Sequence, residues 1–172
     1  MKRIGLLSDT HGYIDSRWEE IFSGCDEIWH AGDIGSKEVT DKLMKIAPLR
    51  AVSGNIDGTE IRQLFPEELF FQCEQLPVWI IHIGGYPGAY PPAVRRKLDE
   101  YRPGLFICGH SHILRVMRDK ERMGMLMMNP GAAGTEGFHR MKTAIRFCVN
   151  GQAVQDVEVV ELGLRGKLPP GR

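Results

Sequence analysis

A chain of 172 residues, 42% hydrophobic, with 22 basic and 22 acidic side chains and a formal net charge of zero, fits one domain with a sizeable core. The charges are mixed along the chain, which argues against a long nucleic-acid track and an anionic-membrane footprint. Its apolar runs last only a handful of residues, too few to cross a bilayer.

Strands and helices are predicted to alternate first. A short apolar strand over residues 4–8 leads to a helix over 15–22, a buried strand over 27–30, a helix over 36–46 and a third strand over 49–53. This βαβαβ opening implies a parallel sheet carrying helices. Ligands in such sheets lie beyond the carboxyl ends of the strands, so Asp9, Asp33 and Asn55 should face one crevice. The second half reads as strands over 67–73 and 78–82, a helix over 92–101 that begins with Pro, and a strand over 105–108. Four further strands follow over 114–119, 124–129, 143–149 and 153–160. Asn150-Gly151 between the last two is a hairpin signal. Residues 163–172, rich in Gly, Pro and basic side chains, read as a loose tail, so the domain is expected to span 1–162. The methionines at 123, 125, 127 and 128 alternate like a strand and are assigned to the core, with Trp18, Trp29 and Trp79.

Cys25, Cys73, Cys108 and Cys148 lie far apart with no C-x-x-C spacing, and read as reduced thiols. The start, Met1-Lys2-Arg3-Ile4, leads straight into a strand and leaves no room for a signal peptide. Both point to the cytoplasm.

Chemistry concentrates at the strand ends. Asp9 and His11 stand in Ser8-Asp9-Thr10-His11-Gly12, Asp33 in His30-Ala31-Gly32-Asp33, and Asn55 in Ser53-Gly54-Asn55-Ile56-Asp57. His82 ends Val78-Trp79-Ile80-Ile81-His82, and His110 and His112 stand in Cys108-Gly109-His110-Ser111-His112. Oxygen and imidazole ligands at the ends of five predicted strands are the pattern of a two-metal hydrolytic site. Two cations about 3.5–4 Å apart supply a nucleophile at neutral pH and positive charge for the phosphoryl oxygens. An anion must lie between them, and Asp33 is the candidate, with one carboxylate oxygen for each metal. A ligand set without thiolate suits Mn²⁺ first, and also Fe, Zn²⁺ or Ni²⁺. His110 and His112, two residues apart, would point to the same face of a strand, so a turn must carry them if each is to reach a different metal, and Gly109 permits one.

At these residues the chain resembles the calcineurin-like metallophosphoesterases, whose pattern D-x-H, G-D, G-N, H, G-H-x-H is met in order. Within that family it is most similar to the small bacterial and archaeal phosphodiesterases, and the likeness runs from about Lys2 to Val160. The resemblance implies a four-layer α/β/β/α sandwich, two mixed β-sheets flanked by helices. It implies that Asp9, His11 and His112 bind one divalent metal, that Asn55, His82 and His110 bind a second, and that Asp33 bridges them. The implied activity is hydrolysis of P–O bonds by a metal-bound hydroxide, on a small phosphodiester rather than a polymer. A protein-interaction scaffold on the same fold, with weak or no catalysis, is the alternative; seven filled ligand positions favour the enzyme. Whether the chain forms a homo-oligomer is left open.

Two residues are candidates for catalytic support. Asp57 could orient a ligand or cap a turn, and His139, in the 131–140 loop with Arg140, could contact a phosphate or supply a proton. Larger relatives carry a His directly after the Asn; here Ile56 stands there and cannot protonate a leaving group. The second His of a His-Gly-His stretch is also missing after His82, and Asn-Pro-Gly-Ser reads Asn129-Pro130-Gly131-Ala132. Tyr86 and Tyr90, among Gly and Pro, could stack a nucleobase or aryl group, or simply pack in their loop. His30 reads as a packed imidazole behind the ligands.

Overall fold

The computed structural model describes residues 1–166, and its layers follow from side-chain alternation in the strands. In β1 (Lys2–Leu7), Ile4 and Leu6 face one side and Leu7 the other. In β2 (Glu27–His30) Trp29 and Ile28 divide the same way, and in β5 (Leu76–Ile81) so do Val78 and Ile80 against Trp79. A strand buried on both faces needs a layer on each.

The central layer lies between two sheets and packs Ile4, Leu6, Trp29, Val78, Ile80 and Phe147 together. Outside the first sheet, Leu7 and Ile28 meet Trp18 and Phe22, from and just after α1 (Trp18–Ile21), and Val39 and Leu43 of α2 (Lys37–Met44). Outside the second, Trp79 meets Val94 and Leu98 of α4 (Pro92–Tyr101). The result is helix, sheet, sheet, helix.

The first sheet also contains β3 (Leu49–Ala51), β9 (Met141–Asn150) and β10 (Ala153–Leu164), in the order β10-β9-β1-β2-β3. The second contains β4 (Glu68–Cys73), β6 (Leu105–Ile107), β7 (Leu114–Asp119) and β8 (Met125–Pro130), in the order β4-β5-β6-β8-β7. β1, β2 and β3 run parallel, as do β5, β6 and β8, while the remaining pairings are antiparallel.

Several elements differ from the sequence expectation. α1 is a single turn, because the Asp15 carboxylate accepts hydrogen bonds from the Arg17 amide (2.9 Å) and guanidinium and holds 15–17 as a turn. A helix α3 (Thr59–Leu64) was not expected; it buries only Ile61, too little for a periodic signal. β10 continues through Leu164, past the expected start of the tail, and Leu162 is buried; residues 167–172 of that tail lie outside the described residues. Met123 is fully exposed in a left-handed turn (φ 55°) between β7 and β8, whereas Met125, Met127 and Met128 are core. No helix among the described residues is long and apolar enough to cross a membrane.

Candidate metal centre

Strand ends from both sheets deliver the candidate ligands to one place. Asp9 and His11 follow β1, Asp33 follows β2, Asn55 follows β3, His82 follows β5, and His110 and His112 follow β6. The first two loops run side by side through Asp9 N–H to the Gly32 carbonyl (2.9 Å), His11 N–H to that of Asp33 (3.0 Å) and Gly12 N–H to that of Ile34 (2.8 Å). Within the second sheet, the Gly109 amide donates to the His82 carbonyl (2.9 Å), and across the sheets the His110 amide donates to Asp9 Oδ2 (3.1 Å).

The approach is close enough to forbid side chains at two glycines. A Cβ on Gly109 would lie 2.1 Å from Ser8 Oγ, and one on Gly54 would lie 2.1 Å from Asp33 Oδ1. Five candidate ligands, Asp9, His11, Asp33, His110 and His112, hold positive φ between 46° and 67°, a conformation that L residues seldom adopt. With His110 at 67° and His112 at 59°, they lie on a turn and not in a strand, and the turn sends one imidazole to each triad.

Two triads result: Asp9, His11 and His112, and Asp33, His82 and His110, each with ligand atoms mutually within 4.8 Å. Asn55 Oδ1 lies 3.0 Å from His110 Nδ1, which places it with the second triad. Asp9 Oδ1 is 3.1 Å from His112 Nε2 and 3.8 Å from His11 Nε2. Asp33 Oδ2 is 3.2 Å from His82 Nε2 and 3.5 Å from His11 Nε2, so one oxygen faces both triads. Asp33 Oδ1 accepts the Ile56 amide at 3.0 Å.

The donor atoms fit a cation. Asp9 Oδ1, His11 Nε2 and His82 Nε2 are buried without a hydrogen-bond partner among the described residues, and they converge. Unpaired buried polar atoms are costly, so a cluster of them implies a ligand. His82 Nδ1 faces the Ala31 carbonyl at 2.7 Å and donates its proton there, which leaves the Nε2 lone pair aimed inward. Burial would raise the pKa of Asp9 and Asp33, yet the imidazoles of His11 and His112 beside Asp9, and of His82 beside Asp33, hold both carboxylates ionised and below their usual range. Asp9 in turn raises His11, and His82 is raised by the two aspartates against its own burial. A field that favours a proton here favours a metal ion in its place.

A layer behind the ligands fixes them. Asp57 is buried and accepts from the amides of Ile34 (3.1 Å), Gly35 (2.8 Å) and Gly54 (2.7 Å), so it ties the Asp33 loop to the Asn55 loop without touching a ligand side chain. His30 accepts the Gly32 amide on Nδ1 (3.1 Å) and reaches Thr10 Oγ1 through Nε2 (3.0 Å); its full burial lowers its pKa to about 4 and keeps it neutral. Thr10 passes the chain on to the Ile34 carbonyl (2.9 Å). Ser8 donates to Asp9 Oδ2 (2.6 Å), and Asn129 Nδ2 donates to the Gly109 carbonyl (2.9 Å) and Ser111 Oγ (3.1 Å). Sequence reasoning missed Ser8, Thr10 and Asn129 as supports, although the first two flank Asp9 directly.

Other expected contributors take different places. His139 packs edge-on against His112, with ring centroids 5.1 Å apart, and its Nε2 faces the Gly134 carbonyl at 2.8 Å. Burial lowers its pKa, so the neutral ring keeps its one proton on that carbonyl. Tyr90 is not a pocket face: it is buried, and its hydroxyl donates to Asp119 (3.1 Å). Tyr86 remains at the surface but carries the Arg115 guanidinium 3.9 Å over its ring.

Known proteins share both pattern and fold. Residues 1–152 match the calcineurin-like phosphoesterase superfamily domain. A protein of Methanothermobacter thermautotrophicus described as a probable metallophosphoesterase is 33% identical over 141 residues, covering 75% of this chain and 76% of its own. Among solved structures, Vps29 of Chaetomium thermophilum superposes with a TM-score of 0.75 at 15% identity, over 94% of this chain and 97% of that one. A predicted phosphoesterase of Streptococcus pneumoniae superposes with a TM-score of 0.68 at 21% identity, over 99% and 94%. The structures match the fold, and the family model spans all the strand-end motifs: the chain belongs to the calcineurin-like phosphoesterase superfamily.

Proposed function

We propose that this metallophosphoesterase is a phosphodiesterase with a two-metal centre, Mn²⁺ being the first metal to try and Fe, Zn²⁺ or Ni²⁺ the alternatives. One observation carries the reading: Asp33 Oδ2 stands between His82 Nε2 at 3.2 Å and His11 Nε2 at 3.5 Å, a single anionic atom shared by two triads. Asp9, His11 and His112 would hold one ion, and Asn55, His82 and His110 the other, with Asp33 between them. When bound, such ions supply an activated water at neutral pH and positive charge beside the phosphoryl oxygens.

The protein's own groups set the rest. Asp9 and Asp33 bring negative charge that keeps two cations together. The Ala31 carbonyl fixes the His82 tautomer. Asp57 acts by position, holding two ligand loops in register. His139 buttresses His112. Ile56 offers no proton, so the leaving oxygen departs on its own stability. We place the protein in the cytoplasm, acting on small diesters. Hydrolysis of bis(p-nitrophenyl) phosphate by chelator-treated protein, before and after adding Mn²⁺, tests this reading. Turnover restored by the metal and absent in Asp33→Asn is expected; turnover that ignores both contradicts it.

A further inference from the structure

Beside the second triad lies a cavity of about 240 Å³ whose wall includes Asn55 and His82 together with Ile81 and Ile83. Ile83 directly follows a candidate ligand and is 44% exposed, and Ile56, directly after Asn55, is 46% exposed. Ile83 lines the cavity, and a large aliphatic side chain half open to water on the wall of a polar site offers a surface that an apolar group can cover. The cavity also holds a cation, Arg62, but three of its N–H groups are engaged and its charge is paired: Nη2 donates to the Gly54 carbonyl (2.9 Å), Nε to the Asp57 carbonyl (2.7 Å) and Nη1 to the Glu67 carboxylate (3.0 Å). Glu67 itself lines the cavity and pairs with Arg62, so a second phosphate or carboxylate would meet a carboxylate and no net positive charge among the described residues that line it.

We propose that this cavity is the subsite for one apolar ester group of the substrate, and that Ile83 selects phosphodiesters carrying an aryl or branched alkyl group over those carrying a second anion. The proposal rests on the phosphodiesterase reading for the placement of the phosphorus at the two triads. Its volume suits a group of about one ring. Half-covering such a ring on Ile81 and Ile83 favours binding by roughly tenfold over a methyl group.

The test uses monoanionic diester mimics with no P–O ester bond to cleave: methylphosphinic acids in which a CH₂ group replaces the ester oxygen and carries methyl, phenyl or 4-carboxyphenyl. Their affinities for Mn²⁺-loaded protein are measured by titration calorimetry. The phenyl compound should bind about tenfold tighter than the methyl compound, and the carboxyphenyl compound should lose most of that gain. In Ile83→Ser the phenyl-to-methyl ratio should fall below about threefold, and in Ile83→Leu it should persist. Taking a ratio within each variant removes any general weakening of the site. A wild-type ratio near one, or a ratio untouched by Ile83→Ser, overturns the subsite. Hydrolysis of methyl p-nitrophenyl phosphate is followed in parallel. Turnover with a flat ratio refutes the subsite alone. A ratio that Ile83→Ser abolishes, without turnover, refutes the phosphodiesterase reading and leaves the subsite standing.

Discussion

Asp33 Oδ2 lies 3.2 Å from His82 Nε2, while the other nitrogen of that ring is held by the Ala31 carbonyl at 2.7 Å, two residues before Asp33. The loop after β2 therefore supplies both the anion and the hydrogen bond that orients the imidazole beside it. Replacing Asp33 by Asn keeps the shape and an acceptor for the Ile56 amide but removes the charge. We expect Asp33→Asn to lose turnover by about a hundredfold or more while circular dichroism and melting stay close to wild type. Activity within tenfold of wild type would show that Asp33 is not the shared anion.

Among the described residues Asp57 makes no hydrogen bond to a candidate ligand side chain, yet three backbone amides converge on it. In Asp57→Asn an NH₂ group must face at least one of those donors. Activity should fall on the order of 10–100-fold, with a stability loss of about 1–3 kcal/mol in urea titration. Since Asp57 acts through loop position, a higher Mn²⁺ concentration should restore part of the activity. A loss that metal leaves untouched would assign Asp57 a direct part in the reaction.

Acid stability should depend on Glu27. This carboxylate is nearly buried, and although burial alone would raise its pKa, Arg50 (2.7 Å), Lys2 (2.7 Å) and the Trp29 indole (2.9 Å) bring it down to about 2. A depressed carboxylate contributes stability that is fully present above its unfolded value, near 4.5, and is lost as pH falls toward 2. Lys2 and Arg50 stay partly in solvent, which screens the gain. Glu27→Gln should lower the melting temperature by about 3–8 °C at pH 7, and the gap should close progressively below pH 4.5. A gap that stays constant down to pH 3 would rule out the ion pairs as its source.

Leaving-group dependence tests the lack of an acid. With Ile56 after Asn55 and the His139 proton held on Gly134, rates on p-nitrophenyl and alkyl esters should diverge steeply as leaving-group pKa rises. Bis-aryl diesters should outrun alkyl monoesters, which bring a second negative charge. His139→Ala should slow every ester by a similar factor, about tenfold, as expected for a residue that steadies His112. A loss that grows with leaving-group pKa would instead make His139 the acid.

Much of this was legible in the sequence because apolar runs and strand-end polar residues are local signals. Glu27 to His30, Pro92 to Tyr101 and Leu114 to Asp119 fall where their patterns place them. The candidate ligand set was legible for the same reason, since its seven members follow five strands. What stayed hidden depends on partners far along the chain. Tyr90 is drawn inward by Asp119, and the Asp57 carboxylate finds amides 22 and 23 residues before it. The cavity beside His82 is framed by Ser53, Gly54 and Asn55 from one loop and Ile81 to Ile83 from another, so neither stretch alone announces it.

The central claim is that two cations share Asp33. Elemental analysis of protein loaded with saturating Mn²⁺, with an anomalous difference map from crystals of the same sample, measures it most directly. The account predicts two peaks about 3.5–4 Å apart, flanking Asp33 Oδ2, with His112 on one and His110 on the other. A single peak at saturation, or two peaks without Asp33 between them, would contradict it.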